Sequence, residues 1–198
     1  MSKYKILSSN SKTGVSLNLP TPETCDDRCP FNGNGCYAQK GRFVFPAVKD
    51  AGLRRLRLFE ESPDLFFDVL EQDLAKARRK GVTHIRIFGS GDFPSIGFVT
   101  KLKFSLWMFP SMRFWISSFK WGKGIFSALP DDWWPTNTTL RRSLATSGVR
   151  SRVLEKKDIK EGQLSKVCPA TLKVLSTCEE CGHRCWSRKV KEVIYVKH

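Results

Sequence analysis

The stretch SPDLFFDVLEQDLAKARRKGVTHIRIFGSGD, residues 62–92, sets out a helix, a strand and a turn in immediate succession. Pro63 suits a first helical position, Ser62 before it can cap the helix, and apolar residues then recur at helical spacing. Gly81 is typical of a helix end, and residues 82–88 alternate as a strand does. The stretch therefore predicts a helix followed by a strand that opens into a glycine-rich loop.

The same order recurs along the chain. A second helical pattern covers residues 95–109 and leads to a strand at 113–117, and further strands are expected at 15–19 and 138–145. Strands that alternate with helices are typical of an α/β fold, here a parallel sheet or a reduced, partial (β/α) barrel. In such folds ligands bind at the carboxyl ends of the strands, where the following loops meet.

The composition is that of a folded, basic protein. Its 198 residues carry a formal net charge of +15 and 40% of them are hydrophobic, which suits one domain with a packed core. We divide the chain into an α/β core, residues 1–150, and a basic cysteine-rich segment, residues 151–198, packed on that core. No stretch approaches the roughly 18 apolar residues of a membrane span, so we expect a cytoplasmic protein without a membrane partner.

Positive charge is concentrated towards the end of the chain. From Arg141 to His198, 14 Lys and Arg stand against 6 Asp and Glu. Such a surplus favours a polyanionic partner, for which nucleic acid is the first candidate and a host protein the second. The alternative, of equal weight, is that the charge serves only the solubility of the chain. Aromatic residues alternate with basic ones in residues 113–121, where they can stack on bases or simply belong to the core. The pattern does not predict an oligomeric state.

Seven cysteines fall into two groups, as metal ligands do in a reducing compartment. The first group consists of Cys25, Cys29 and Cys36, in a loop that also contains glycine, asparagine and proline. Three thiolates on such a loop can hold one face of a metal centre and leave one coordination position open for chemistry. We expect this loop to carry the reactive site.

The second group has the number and spacing of cysteines expected of a complete set of four metal ligands. It consists of Cys168, Cys178, Cys181 and Cys185, with a C-x-x-C at its centre. Four thiolates are typical of a closed structural site or an auxiliary cluster. His183 can replace one cysteine, although a position beside the ligands is commoner for such a histidine. We expect iron–sulfur, as one or two [4Fe-4S] clusters, with zinc as the alternative because it accepts the same ligands.

The loop after the strand at 82–88 is the third candidate site. Its glycines allow the backbone to approach a ligand closely, and a carboxylate there can act on a proton or bind an amine. The predicted cofactor-binding residues are Gly89, Ser90, Gly91, Asp92 and Ser117, with Asp92 also as the catalytic residue. The alternative is a tight turn in which Asp92 caps the next helix. We expect this loop, the loop from Ser117 and the first cysteine group to share one rim.

Taken together, these motifs resemble the gene product 88-like family of bacteriophage proteins. The resemblance spans about residues 20–186 and implies a phage origin, and hence the host cytoplasm, without implying a reaction. It is carried by Cys36-Tyr37-Ala38, by His84 to Phe93, by Arg113-Phe114-Trp115, by Cys168-Pro169 and by Cys178 to Trp186.

A partial resemblance to the radical SAM enzymes does imply a reaction. Those enzymes hold a [4Fe-4S] cluster by three cysteines after the first barrel strand, and S-adenosylmethionine (SAM) binds its fourth iron. A glycine-rich acidic motif after their second strand binds the amino group of SAM. By this resemblance Cys25, Cys29 and Cys36 are the ligands and Ser90-Gly91-Asp92 is the motif. The chain departs from the usual pattern in having six residues instead of two between the second and third cysteines.

Three functions follow from these observations. The first is a radical SAM-like enzyme with one open and one closed cluster, acting on nucleic acid or a nucleotide. The second is a non-catalytic protein, stapled by iron–sulfur or zinc, that binds nucleic acid or a host protein. The third is a base-exchange enzyme similar to zinc-containing transglycosylases, with Asp92 as nucleophile.

Overall fold

The structure, a computed structural model, describes residues 4–10, 14–32, 36–130, 132–143, 150–172, 181 and 185–196. In these ranges seven strands form one sheet, and their order in the sheet is their order in the sequence. The strands are β1 (Leu7–Asn10), β2 (Gly14–Leu17), β3 (His84–Ile87), β4 (Arg113–Ser118), β5 (Thr138–Ser143), β6 (Arg150–Leu154) and β7 (Glu192–Val196). The α-helices of the same ranges are α1 (Pro46–Glu61), α2 (Pro63–Arg79) and α3 (Ile96–Trp107).

The sheet is parallel except at one edge. Strands β1 and β2 form an antiparallel hairpin, and each strand from β3 to β7 joins its predecessor in parallel. Parallel neighbours need crossover connections; α1 and α2 lie between β2 and β3, and α3 lies between β3 and β4. The prediction of an α/β fold with a parallel sheet is confirmed. Because strands β2 to β7 point the same way, their carboxyl ends form one rim.

The hydrophobic core lies between the helices and one face of the sheet. Ile87 on β3 and Ile116 on β4 point to this face, and both are fully buried. Helices α2 and α3 cover them with side chains at helical spacing, among them Phe66, Leu70 and Leu102. The sheet is thereby held from one side by a continuous apolar layer.

The opposite face of the sheet is concave. Trp115 on β4 and Tyr195 on β7 stack on this face, with ring centroids 6.4 Å apart and an interplanar angle of 17°. Their strands are three spacings apart in the sheet, which amounts to about 14 Å if the sheet is flat. The hydroxyls of Ser117 on β4 and Ser151 on β6 also lie 3.4 Å apart, which two such short side chains cannot reach across a flat sheet. Together with the stack, this contact indicates that the sheet curves towards this face, which we call the inner face.

Most of the predicted elements are confirmed within a few residues. The helix expected after Ser62 is α2, and Gly81 ends it with a φ of +78°. The pattern at residues 95–109 is α3, and the four expected strands are β2, β3, β4 and β5. The predicted side-chain cap was wrong, because the Ser62 side chain makes no cap hydrogen bond.

The basic segment 151–198 supplies two strands to the same sheet. Strand β6 begins at Arg150 and β7 ends at Val196, and the two pair in parallel. The intervening chain carries the second cysteine group. The division at residue 150 stays a prediction about organisation. Within the described ranges, no helix combines the length and apolar character needed to cross a bilayer.

Candidate metal centre

The first cysteine loop leaves the sheet at the end of β2 and is fastened to the loop that follows β3. The backbone N–H of Leu19 donates to the Ser90 carbonyl at 3.1 Å, and the Ser90 hydroxyl donates to the Leu19 carbonyl at 2.9 Å. The Thr24 hydroxyl accepts from the backbone N–H of Asp92 at 3.0 Å. These bonds bring two of the three expected loops together on the rim.

Cys25, Cys29 and Cys36 occupy one electrostatic neighbourhood. All three are half-buried, and none of the described cysteines forms a disulfide. Burial first, then the Asp92 carboxylate, then Cys36 and Cys29, raise the pKa of the Cys25 thiol to about 12, whereas Lys120 lowers it. Burial likewise raises the pKa of Cys36, and Cys29 adds to the effect. The three side chains therefore lie close enough together to interact electrostatically.

This arrangement fits a thiolate-bound metal in its donor chemistry. The thiolate form of a half-buried cysteine is destabilised when other thiols and a carboxylate lie near it. A bound cation stabilises that form strongly, because it compensates the negative charge. As placed, the described side chains contain no group of three or more His, Cys, Asp or Glu arranged to hold a metal ion. Residues 33–35, between Cys29 and Cys36, lie outside the described ranges.

Asp92 is a buried brace between two loops of the rim. Its Oδ1 accepts from the Phe93 N–H at 2.8 Å and from the Ser118 hydroxyl at 2.6 Å. Its Oδ2 accepts from the N–H groups of Phe119 at 2.8 Å and Lys120 at 3.2 Å. Burial raises the pKa of this carboxyl, and the hydrogen bond from Ser118 opposes the shift. These contacts join the loop after β3 to the loop after β4, the third loop expected on the rim.

The alternative role predicted for Asp92, capping the next helix, was wrong. The cap of α3 is Ser95, whose hydroxyl accepts from the Phe98 N–H at 3.1 Å. The catalytic role of Asp92 stays a prediction, since the carboxylate is 5% exposed and both its oxygens accept hydrogen bonds. The sequence suggested only local partners for Asp92, whereas three of its four partners lie at the end of β4 and in the loop after it.

Two residues with positive φ angles, Phe88 and Gly91, determine the backbone path of the glycine-rich loop. Phe88, at the end of β3, has a φ of +64°, a left-handed conformation that is rare for an aromatic residue. Gly91 follows with a φ of +77°, and a Cβ there would lie 2.6 Å from Thr24 Oγ1 and 2.8 Å from the Leu19 carbonyl oxygen. Gly91 thus permits the close approach of the first cysteine loop. Strained backbone of this kind often accompanies a functional site.

Polar side chains line the inner face behind the rim. The hydroxyls of Ser117, Ser143 and Ser151, on three adjacent strands, lie 3.0 to 3.5 Å from one another. Ser117 was predicted to bind a cofactor, and its two serine neighbours were not predicted. They were missed because their strands carry no separate signal of a ligand site.

A chain of contacts crosses the inner face from the first cysteine group. The Tyr37 hydroxyl donates to the Gly89 carbonyl and accepts from Arg86 Nη2 at 3.0 Å. The Arg86 guanidinium lies over the Trp115 ring, 4.6 Å from its centroid, and Trp115 stacks on Tyr195. Tyr37 directly follows Cys36, so this chain begins at the rim.

The second cysteine group lies against the far end of this chain. Cys168 and Cys185 are buried in one cluster with Trp115 and Val193. Burial raises the pKa of the Tyr195 hydroxyl well above its usual value, and both cysteines act in the same direction. Cys181 is half-buried. Cys178 and His183 lie outside the described residues, and so does any full four-cysteine site.

A buried arginine fixes the chain around Cys185. Arg141 on β5 is 0% exposed, and it donates to the Cys185 carbonyl from Nε at 2.9 Å and from Nη2 at 2.8 Å. The same Nη2 donates to the Ser187 carbonyl at 3.2 Å. Among the described residues its hydrogen-bond acceptors are all carbonyl oxygens. Beside the second cysteine group there is therefore a buried cation whose partners, in the part of the chain that the structure describes, include no carboxylate.

The aromatic residues for which the sequence left open base stacking or a place in the core belong largely to the core. Trp121 and Trp134 are buried and pack against Phe93, with the rings of Phe93 and Trp134 stacked 5.7 Å apart. Base stacking by these side chains has no support in their positions.

The chain matches the model of a known protein family. The family model described as Gene product 88 matches residues 2–175. No curated protein and no solved structure matches the chain.

Proposed function

The chain belongs to the Gene product 88 family, and from this premise we propose that it is a phage-type iron–sulfur enzyme, similar to radical SAM enzymes, acting on nucleic acid or a nucleotide. The observation that supports the proposal is the order of the strands and of the loops that follow them. The first parallel strand, β2, precedes the three-cysteine loop, and the next, β3, precedes Gly89-Ser90-Gly91-Asp92. Parallel strands in sequential order on a curved sheet also suit a partial (β/α) barrel.

In this proposal Cys25, Cys29 and Cys36 hold the cluster at the rim. A cluster held there, once reduced by an external one-electron donor, would pass that electron to a bound sulfonium compound such as SAM. Ser90 and the backbone of Gly91 orient the amino group of the ligand, while Asp92 keeps the loops after β3 and β4 in register. Ser117, on the inner face behind the rim, offers a hydroxyl for ligand binding.

The second cysteine group is proposed to hold a closed cluster or zinc. Cys168, Cys178, Cys181 and Cys185 are its ligands in this proposal. Support comes from the shared burial of Cys168 and Cys185 and from the positive charge of Arg141 beside them, because a buried cation is stabilised by an anionic metal–thiolate centre.

A non-catalytic function is the second candidate. It is favoured by the four hydrogen bonds that Asp92 accepts from the chain, which serve the structure without any ligand. In this case the metal only staples the loops, and the protein binds nucleic acid or a host protein.

Metal analysis separates these functions. We expect protein purified without oxygen to be coloured and to contain iron and sulfide, and SAM to alter the paramagnetic resonance signal of the reduced form. Exchanging Cys25, Cys29 and Cys36 for Ala should remove the SAM-sensitive signal, whereas the exchange of Cys168 and Cys185 should not. A colourless protein with stoichiometric zinc would contradict the proposal. Iron without any response to SAM would favour the non-catalytic protein.

A further inference from the structure

A shallow basin opens at the amino ends of β6 and β7, at the end of the sheet opposite the cysteine rim. Its volume is about 720 Å³, and Arg150 and Glu192, which begin these strands, pair across its floor. Lys166, Lys189 and Lys191 line its sides. Part of the positive charge found after Arg141 in the sequence therefore lies around this basin.

The one carboxylate among the described lining residues is already neutralised. Glu192 Oε1 accepts from Arg150 Nε at 2.8 Å and from Arg152 Nη1 at 3.4 Å, and Oε2 accepts from Lys166 Nζ at 3.2 Å. Although burial opposes it, hydrogen bonds from Arg150 and Lys166 hold the pKa of Glu192 below its usual value. The carboxylate thus fixes the basin floor and leaves a surplus of cations.

The two remaining lysines supply that surplus. The side chains of Lys189 and Lys191 are exposed, and within the described ranges neither forms an ion pair. Concave surfaces of one charge sign focus their field and attract counter-ions. An anion with several charges suits the basin, because its cations are spread along an open surface.

The lining indicates which polyanion fits. It contains no aromatic side chain among its described members, and Val190 is its one apolar residue. Base stacking needs aromatic rings, and an amphipathic segment that lies in a membrane surface needs a broad apolar face, neither of which this lining offers. Phosphates joined along a backbone need only cations, which fix position without reading sequence.

We propose that this basin binds the phosphate backbone of nucleic acid and anchors it at the end of the sheet remote from the cysteine rim. The choice of nucleic acid rests on the proposed function, but the basin needs no metal. Binding there leaves the rim open, so that a bound strand can be held while another part of it reaches the cysteine loop.

Paired charge removals test the basin. Lys189→Gln with Lys191→Gln removes two exposed charges, and Arg79→Gln with Lys80→Gln removes two exposed charges from the end of α2 as a control. Anisotropy of short labelled single-stranded and duplex DNA, measured over a range of salt, gives affinity and salt slope. Metal content is measured on the same samples, so that loss of the proposed cofactor is recorded separately.

We expect the basin variant to bind DNA at least about tenfold more weakly in low salt, and its salt slope to fall by about 1.4 to 1.8, as two lost phosphate contacts require. The control should change affinity by less than about twofold. Equal losses in both variants would show that only net charge matters and would overturn the proposal. So would an unchanged basin variant, or a wild-type protein that binds anionic phosphatidylserine vesicles but not DNA.

Discussion

Trp115 on β4 and Tyr195 on β7 stack with their ring centroids 6.4 Å apart, although β5 and β6 lie between their strands. The Arg86 guanidinium lies over the Trp115 ring, and Cys168 and Cys185 are buried in the same cluster as Trp115. The inner face is thus a single packed layer that reaches from the neighbour of Cys36 to the second cysteine group.

The two members of the stack should differ sharply in their response to mutation. Trp115→Ala removes a buried ring and should lower the free energy of unfolding by about 3–5 kcal/mol. Tyr195→Phe keeps the ring and removes a buried hydroxyl that has no hydrogen-bond partner among the described residues, so stability should be unchanged or higher. Urea unfolding measures both. A large loss in Tyr195→Phe would reveal a partner for the hydroxyl.

Gly91 should be far less tolerant than a glycine of the same conformation elsewhere. Gly91 and Gly81 have φ values of +77° and +78°, but only at Gly91 would a Cβ meet other atoms within 3 Å. Gly81→Ala should cost about 1 kcal/mol from backbone strain alone, and Gly91→Ala several times as much. Thermal unfolding of the two variants compares them directly. Similar losses of stability in the two variants would mean that the first cysteine loop can move away from the added methyl group at little cost.

Asp92→Asn tests the brace between the loops. The side chain keeps its shape, but its amide group brings N–H donors to a site where four donors already converge, and the charge is lost. We expect a loss of about 2–4 kcal/mol, against about 1–2 kcal/mol for Ser118→Ala, which removes one donor. A variant with native stability and native backbone amide spectra would show that Asp92 is not a structural brace.

Arg141→Met tests the attachment of the chain around Cys185. The exchange leaves the carbonyls of Cys185 and Ser187 without their charged donor, and each such bond is worth about 1.5–3 kcal/mol. Hydrogen exchange should quicken first in residues 185–196. Arg188→Met is the matched control, since Arg188 also donates to backbone carbonyls but is exposed. Equal effects would mean that burial of Arg141 adds nothing.

The sequence predicted the helices and strands whose formation depends mainly on residues close together in the chain. The helix α2 has apolar spacing, a proline start and a glycine end, and β3 alternates, so both could be read from the sequence. Helix α1 was missed because its apolar positions are sparse among charged residues, and no side chain caps its start. Strand β7 was missed because it is only five residues long, so its pattern does not stand out after the cysteine segment.

The candidate site was predictable only in outline. Parallel topology placed the three loops on one rim, since that follows from strand direction alone. The partners of Asp92 stand 26 to 28 residues further along the chain, and the contact between Trp115 and Tyr195 depends on sheet curvature. Neither the partners of Asp92 nor the contact between Trp115 and Tyr195 can be predicted from the local sequence, because both depend on how the strands assemble.

The second cysteine group lies on the crossover from β6 to β7, so both ends of its segment are held by neighbouring strands of one sheet. A ligand loop that is closed by the sheet has already lost much of the conformational entropy that an untethered tail would lose on binding a metal. Metal capture and the pairing of the last strand should then be linked equilibria, with each favouring the other. On the proposal that these cysteines bind a metal, removal of the metal should therefore weaken the pairing of β7 with β6.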